Sequence, residues 1–475
     1  MSQGQQLPNE WLSREIGEIA DVVAGGTPKA GDPENFAPPG TQISWITPAD
    51  LSNYLEKYIS KGKRDLSQQG YDSSSAKIMP AGTLLFSSRA PIGYVAIAER
   101  EISTNQGFKN FLLPSGVDSS YAYHYLRSIR DVAKSMGTGT TFKEISGATA
   151  KKLPFVLPPL AEQKVIADKL DTLLAQVDST KARLERIPAI LKRFRQSVLA
   201  AAVSGRLTEE WRGTPSCSFG KPPLTIGPEK EEAPDSWRWE KLTDLAILES
   251  GHTPRKSKPE YWENGDIPWI SLQDIRKAHG KVITKTKFMP NMEGIKNSSA
   301  RLLPAGTVCF SRDISVGYTT VMGREMATTQ HFVNWICGER INNIYLMYSF
   351  MAAKNHLTIS GQGSTVKTIY MPACKQFRLL TPPLEEQTEI VRRVDQLFAH
   401  ADRIEQQVNQ ALARVNHLTQ SILAKAFHGE LTEQWRKDNP ELISGENSAQ
   451  ALLERIKAEQ AAKAPAKRTR KKATT

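Results

Sequence analysis

The second half of this 475-residue chain repeats the first at a nearly fixed distance, and no other feature restricts the fold as much. Pro158-Pro159-Leu160 with Glu162-Gln163 recurs 224 residues later as Pro382-Pro383-Leu384 with Glu386-Gln387. Gly205, Leu207-Thr208-Glu209 and Trp211-Arg212 recur at the same offset as Gly429, Leu431-Thr432-Glu433 and Trp435-Arg436. So do Pro80 to Thr83 (Pro304 to Thr307), Gly93-Tyr94 (Gly317-Tyr318), and Gly137, Gly139, Thr141 and Lys143 (Gly361, Gly363, Thr365 and Lys367). Near the start the offset is 226, relating Pro8, Trp11 and Thr27-Pro28 to Pro234, Trp237 and Thr253-Pro254, so one early loop differs by two residues. A repeat of this size can bury a core of its own, which predicts two equivalent modules in tandem.

Each repeat has a mixed part, in which short apolar runs are cut by Gly and Pro, and a helical part opening after the Pro-Pro pair. The mixed parts are expected to be α+β, with strands at Gln42 to Thr47, Thr83 to Ser87 and Tyr94 to Ala98, and a helix at Ser120 to Ser135. In the helical parts, Ile166, Leu170, Leu173, Val177, Thr180, Leu184, Ile187, Leu191, Phe194 and Val198 alternate spacings of four and three. Their counterparts are Ile390, Val394, Leu397, Ala401, Ile404, Val408, Ala411, Val415, Leu418 and Ile422. Two matched heptad seams predict that the helices pair. Pro188 is expected to kink or restart the first of them.

The domains read as 1–155 and 233–380 globular, 156–212 and 381–436 helical spacers, 213–232 a linker, and 437–475 a C-terminal helix and basic tail. Gly213 to Pro234 is proline-rich and poor in apolar residues, as a linker would be. The expected fold is two globular domains related by pseudo-two-fold symmetry and separated by two long antiparallel coiled-coil helices. A helix from Ile166 to Val198 rises ~48 Å, comparable with the ~34 Å between DNA half-sites one turn apart.

Lys plus Arg outnumber Asp plus Glu by 62 to 50, a net charge of +12, which favours a polyanionic partner. No apolar run approaches a bilayer span and the N-terminus lacks a signal-peptide pattern. That points to nucleic acid rather than membrane, and to the cytoplasm. Cys217, Cys309, Cys337 and Cys374 lie far apart without C-x-x-C spacing, so free thiols are expected rather than a disulfide or zinc site.

Catalytic constellations are missing. Gly62-Lys63, Gly220-Lys221 and Gly280-Lys281 are each followed by the wrong residue for a phosphate loop. Every Pro-Pro pair is followed by Gly or Leu rather than by the aromatic residue of amino-methyltransferases. The eight histidines are scattered. Glu162-x-Lys164 matches half a nuclease spacing but opens a helix, and reads as helix-terminal charge. A non-catalytic chain with no metal or cofactor of its own is expected.

The run 158–163, Leu170 to Leu174, Leu191 to Gln196 and Gly205 to Arg212 together resemble the central conserved region of type I restriction-modification specificity subunits. Residues 382–436 resemble their distal conserved region, so the resemblance covers nearly the whole chain. It implies that each variable module reads one half of a split double-stranded DNA site. It further implies that the helices set the spacing and bind two methyltransferase (modification) subunits carrying S-adenosylmethionine. Restriction (motor-nuclease) subunits then join, and ATP and Mg are held by partners. Leu170, Leu173, Arg193, Arg195, Leu397, Trp211 and Trp435 are the expected partner contacts. Because the modules diverge while the helices stay alike, the target should be asymmetric. Two rival readings are a self-sufficient restriction-methylation enzyme, opposed by the missing motifs, and a coiled-coil scaffold, opposed by the two large divergent modules.

Duplex reading needs Arg, Lys, Asn and Gln on loops that reach groove edges. In the first repeat the candidates are Lys29 after Gly25-Gly26-Thr27-Pro28, Arg89 after Ser87-Ser88, Asn105-Gln106, and Thr140-Thr141 with Lys143. In the second they are Arg255, Lys256, Lys258, Arg312, Gln330 with His331, and Ser364-Thr365 with Lys367. The ordinary alternatives are a tight surface turn at Gly137 to Thr141 and a salt-bridged Arg89. Trp45 and Trp269 sit in matched apolar runs and read as core. The tail from Lys463 to Thr475 carries six cations and no acid, and reads as a disordered arm that either attracts phosphates or has no role.

Overall fold

The computed structural model describes residues 7–89, 91–139, 143–216, 223–227, 233–362 and 367–463. The chain forms two compact α+β units, unit 1 being Met1–Leu184 with Ala411–Thr475 and unit 2 Glu185–Gln410. Three helices organise them: α1 (Leu160–Val203), α2 (Leu384–Phe427) and α3 (Ala449–Lys463).

Unit 1 is built on a five-stranded sheet of β1 (Asp21–Ala24), β2 (Tyr58–Ile59), β3 (Leu84–Ser87), β4 (Val95–Ala98) and β5 (Phe108–Leu112), in the order β1-β5-β3-β4-β2. Leu84 and Phe86 point into the core that holds Phe111, Tyr121 and Phe155, while Leu85 joins Ile46, Met79 and Phe108 on the other face. Both faces are covered, which is why β3 reads as an unbroken apolar run rather than an alternating one. Unit 2 repeats the sheet with β6 (Ala246–Ser250), β7 (Val282–Ile283), β8 (Val308–Ser311), β9 (Thr319–Met322) and β10 (Phe332–Cys337), in the order β6-β10-β8-β9-β7.

Both long helices run through both units, and in each unit they pack antiparallel. In unit 1, Ile166, Leu170 and Leu174 near the start of α1 share a core with Leu423, Ala426 and Phe427 near the end of α2. In unit 2, Val198, Leu199 and Ala202 share one with Ile390 and Val394. The heptad seam departs from expectation at these ends, where Leu174, Leu199 and Leu423 are buried and Leu418 is 48% exposed. The module beside each helix end adds a second packing partner, which widens and rotates the apolar stripe.

Of the two outcomes expected at Pro188, a restart does not occur, since α1 is one helix with Pro188 inside it. Two further expectations are corrected. The helix expected at Ser120 to Ser135 is two, Ser119–Ser128 and Arg130–Ser135, separated at Ile129, whose ψ of 13° leaves the helical range. Part of the proline-rich segment is a strand: Leu224–Ile226 pairs antiparallel with Phe377–Thr381, and the burial of Leu224 and Thr225 accounts for it. At the other end of the chain, α3 docks on unit 1 through Leu452, Leu453 and Ile456.

Asp171 of α1 accepts from Lys57 Nζ (2.5 Å) and contacts His124 Nε2 (2.7 Å). Burial of the imidazole pushes His124 below the ordinary histidine value, against the opposing pull of Asp171. A base depressed in the folded state is protonated first in the unfolded chain, so its contribution is complete above about pH 6.5 and is lost as pH falls below that. His124→Gln should therefore lose less urea resistance than the parent between about pH 7 and pH 5.5, read from denaturation midpoints at the two pH values. An equal loss would contradict this assignment.

Candidate nucleic-acid interface

In unit 1, β5 runs antiparallel to both its neighbours, with Lys109 opposite Ala24 and Phe108 opposite Ser87. The end of β1, the end of β3 and the start of β5 therefore meet at one end of the sheet. Hydrogen bonds from backbone amides lock the three loops there together. Gly26 N donates to Thr104 O (2.9 Å), Ser88 N to Gly107 O (2.7 Å), and Gln106 N to Thr27 Oγ1 (3.4 Å). Ile145 N donates to Ser88 O (2.9 Å) and draws in a fourth loop, closed by mutual bonds between Thr138 and Glu144.

Unit 2 reproduces the arrangement. His252 N donates to Thr328 O (2.9 Å), Arg312 N to His331 O (3.0 Å) and Ile369 N to Arg312 O (2.8 Å), with Gln362 and Thr368 closing the fourth loop. Two side-chain anchors recur and were not recognised from sequence as site residues. Trp45 and Trp269 are core, as expected, but their indoles also donate to Gly26 O (3.0 Å) and His252 O (3.1 Å). Buried Asn110 and Asn334 each donate through Nδ2 to Thr104 or Thr328 Oγ1 at 2.8 Å. The signal available was their identical spacing in the repeat.

The structure gathers the described DNA candidates of each unit on these loops. Lys29, Gln106 and Lys143 are exposed, and Asn105 is half-buried with Oδ1 accepting from Gly107 N at 2.9 Å. Arg89 is 3.8 Å from Glu144, which stands equally far from Lys109. Burial pushes the Lys109 ammonium down and Glu144 opposes it. Arg255, Lys256, Gln330 and Lys367 are exposed; Lys256 Nζ lies 5.7 Å from the Trp269 ring centre, and Lys258 is 3.4 Å from Glu260. Thr140, Thr141, Ser364 and Thr365 lie outside the described residues. Arg312 is not the counterpart of Arg89: the repeat offset and the backbone contacts match Arg312 to Ser88, and Asp313 to Arg89. Asp313 meets His331 Nδ1 at 2.7 Å, a pair that Arg89 and Gly107 cannot form.

The expected partner contacts separate by exposure. Leu170 is fully buried in unit 1 and cannot touch another subunit, because its side chain fills the core between α1 and the module. Arg195 is engaged within unit 2, donating to Asp402 (2.6 Å) and Glu405 (2.8 Å). Leu173, Leu397 and Trp435 are half-buried, whereas Arg193 and Trp211 are exposed, Trp211 by 46%.

The repeated motifs that mark the helices close each unit. Glu162 is fully buried, not a terminal surface charge: it accepts from Trp11 Nε1 (2.7 Å), Thr432 Oγ1 (2.6 Å) and Arg436 Nη1 (2.6 Å). Glu386 does the same in unit 2 with Trp237 (2.9 Å), Thr208 (2.7 Å) and Arg212 (2.6 Å). The next residue is a staple. Gln163 binds Asp118 N and Pro158 O, and Gln387 binds Asn342 N and Pro382 O. Among the described residues no group of three His, Cys, Asp or Glu side chains could hold a metal ion, and no helix is long and apolar enough to cross a membrane.

Residues 8–189 and 234–414 match the family model described as type I restriction modification DNA specificity domain. The chain is 37% identical to the type I restriction enzyme EcoKI specificity subunit of Escherichia coli strain K12, over 99% of this chain and 100% of that one. It is 40% identical to the EcoBI specificity subunit of Escherichia coli, over 98% and 96%. The HsdS subunit from Thermoanaerobacter tengcongensis shares the fold, with a TM-score of 0.57 at 18% identity, covering 89% of this chain and 98% of that one. So does a chain from a structure concerned with complex assembly and conformational transition of the type I R-M system, with a TM-score of 0.64 at 17% identity and the same coverage.

Proposed function

This chain belongs to the family of type I restriction-modification specificity subunits, and on that premise we propose that each unit reads one half of a bipartite DNA site through the four loops at one end of its sheet. The observation that carries the reading is a duplicated frame bearing different side chains. The anchors are backbone groups and matched Trp and Asn residues, while the positions beside them differ: Arg89 against Asp313 and Gly107 against His331. Conserved positioning with altered donors and acceptors is what two distinct half-sites require. The target is therefore asymmetric.

The chain itself performs no chemistry in this reading. Methyl transfer from S-adenosylmethionine and ATP- and Mg-dependent cleavage belong to the modification and restriction subunits. Two modification subunits dock along α1 and α2, for which exposed Arg193 and Trp211 offer a guanidinium and an aromatic anchor. The helices set the distance between half-sites, and the assembly works in the cytoplasm, where it meets double-stranded DNA.

Co-expression with the neighbouring modification subunit, followed by single-molecule sequencing of methylated adenines across a genome, tests this. A split, asymmetric motif is expected. A palindromic motif would remove the assignment of distinct half-sites. An unchanged methylation pattern from a properly assembled complex would favour the scaffold, and methylation by this chain alone would favour the autonomous enzyme.

A further inference from the structure

Ile314, in the loop after β8, occupies a backbone conformation that its side chain disfavours. Its φ is +53°, and the other non-glycine residues at positive φ among those described are Asn53 and Asn264. Asparagine tolerates that region, whereas a β-branched residue there is a true outlier. The bond from Ser315 N back to Asp313 O closes a γ-turn around Ile314, and a positive central φ makes it the rare, strained form. Core packing does not compensate, because the Ile314 side chain is 51% exposed.

The surrounding loop holds the turn in place. Ser311 Oγ donates to Asp313 O (3.1 Å), the Asp313 carboxylate meets His331 (2.7 Å), Arg276 Nε donates to Ser315 Oγ (2.7 Å), and Val316 is buried in the core of unit 2. Strain maintained by so many contacts on an exposed apolar side chain is the pattern found where a protein presents a group to a ligand. The ligand follows from the place. Ile314 lies between Arg312 and Gly317 on a loop that joins the candidate interface, and the apolar group on the major-groove edge of DNA is the thymine 5-methyl.

We infer that Ile314 reads a thymine methyl in the half-site recognised by unit 2. The inference rests on the proposed function and goes beyond it by naming one contact and its chemistry. In the first repeat the position matched by the sequence offset is Ala90, which lies outside the described residues.

Deoxyuridine pairs like thymidine but lacks the 5-methyl, so it isolates this contact. The complex with its modification subunits is titrated with duplexes carrying the mapped site, each with one thymidine replaced by deoxyuridine. The parent should bind about fourfold more weakly at one position, the effect of exposing one buried methyl. Ile314→Gly and Ile314→Asn, which both accept a positive φ, should bind the two duplexes equally there and melt at or above the parent's temperature. Parent insensitivity at every thymine, a half-site without thymine, sensitivity retained in both variants, or lower melting of both variants would overturn the inference. Binding of the mapped site no better than random DNA would overturn the proposed function with it, a result distinguishable from loss of the methyl effect alone.

Discussion

An Arg436→Ala variant should lower the stability of unit 1 by about 3–5 kcal/mol, the usual cost of leaving one member of a buried ion pair behind. Glu162 is fully buried and the Arg436 side chain 12% exposed, so water cannot replace the guanidinium without opening the core. Trp11 and Thr432 would remain as neutral donors, which cannot neutralise a carboxylate. Arg212→Ala should do the same to unit 2 through Glu386. Two units need not unfold together, so the measurement is a urea titration in which each transition is followed separately. Each variant should shift one transition. The double replacement Glu162→Gln with Arg436→Met should recover much of the loss, since removing both charges removes the uncompensated one. A single variant within about 1 kcal/mol of the parent, the range of an exposed pair, would show that the pair does not close the unit.

The second large effect is expected from one added methyl group. A Cβ on Gly251 would lie 2.2 Å from both Thr328 Oγ1 and Thr329 O, and one on Gly25 would lie 2.0 Å from Asn105 O. Backbone oxygens cannot rotate away, so Gly251→Ala and Gly25→Ala must push apart the loop after the first sheet strand and the loop carrying Gln330 or Gln106. Overpacking of this kind costs about 1–3 kcal/mol in stability. Misplacing the reading loop should cost about as much in discrimination as a mismatched base pair, about 1–3 kcal/mol or roughly five- to 150-fold. Competition binding with DNA altered in one half-site at a time separates the two variants. Gly25→Ala should blunt discrimination in one half and Gly251→Ala in the other; both affecting the same half, or neither, would contradict the division of labour between units.

Much of the fold was legible because its signals are local. The Pro-Pro pairs and Gly205 and Gly429 bracket the helices closely, and β3 and β4 fall within a residue of their apolar runs. The partner of Glu162 was not legible. Arg436 lies 274 residues away, and a carboxylate two residues into a helix looks like terminal charge unless the returning segment is known. The candidate interface was half legible. Lys29, Arg89 and Asn105 could be chosen as loop residues, but their convergence depends on β5 lying between β1 and β3, an order that spacing does not reveal. Asp313 is a poor first choice for DNA because it is an acid, although the repeat offset of 224 already sets it against Arg89 and the backbone contacts agree.

The division of the chain also sets an order of completion during synthesis. Unit 2 is one continuous stretch, Glu185–Gln410, and holds both Glu386 and the Thr208 and Arg212 that satisfy it. In unit 1 only Trp11 of the groups that satisfy Glu162 precedes it; Thr432 and the neutralising Arg436 follow unit 2 in the chain, and α3 comes later still. Domains are usually finished from the N-terminus as the ribosome advances. Here the first module to emerge must wait, with its carboxylate lacking a cation and the core face for α3 uncovered, until the whole of unit 2 and the segment after it have been made.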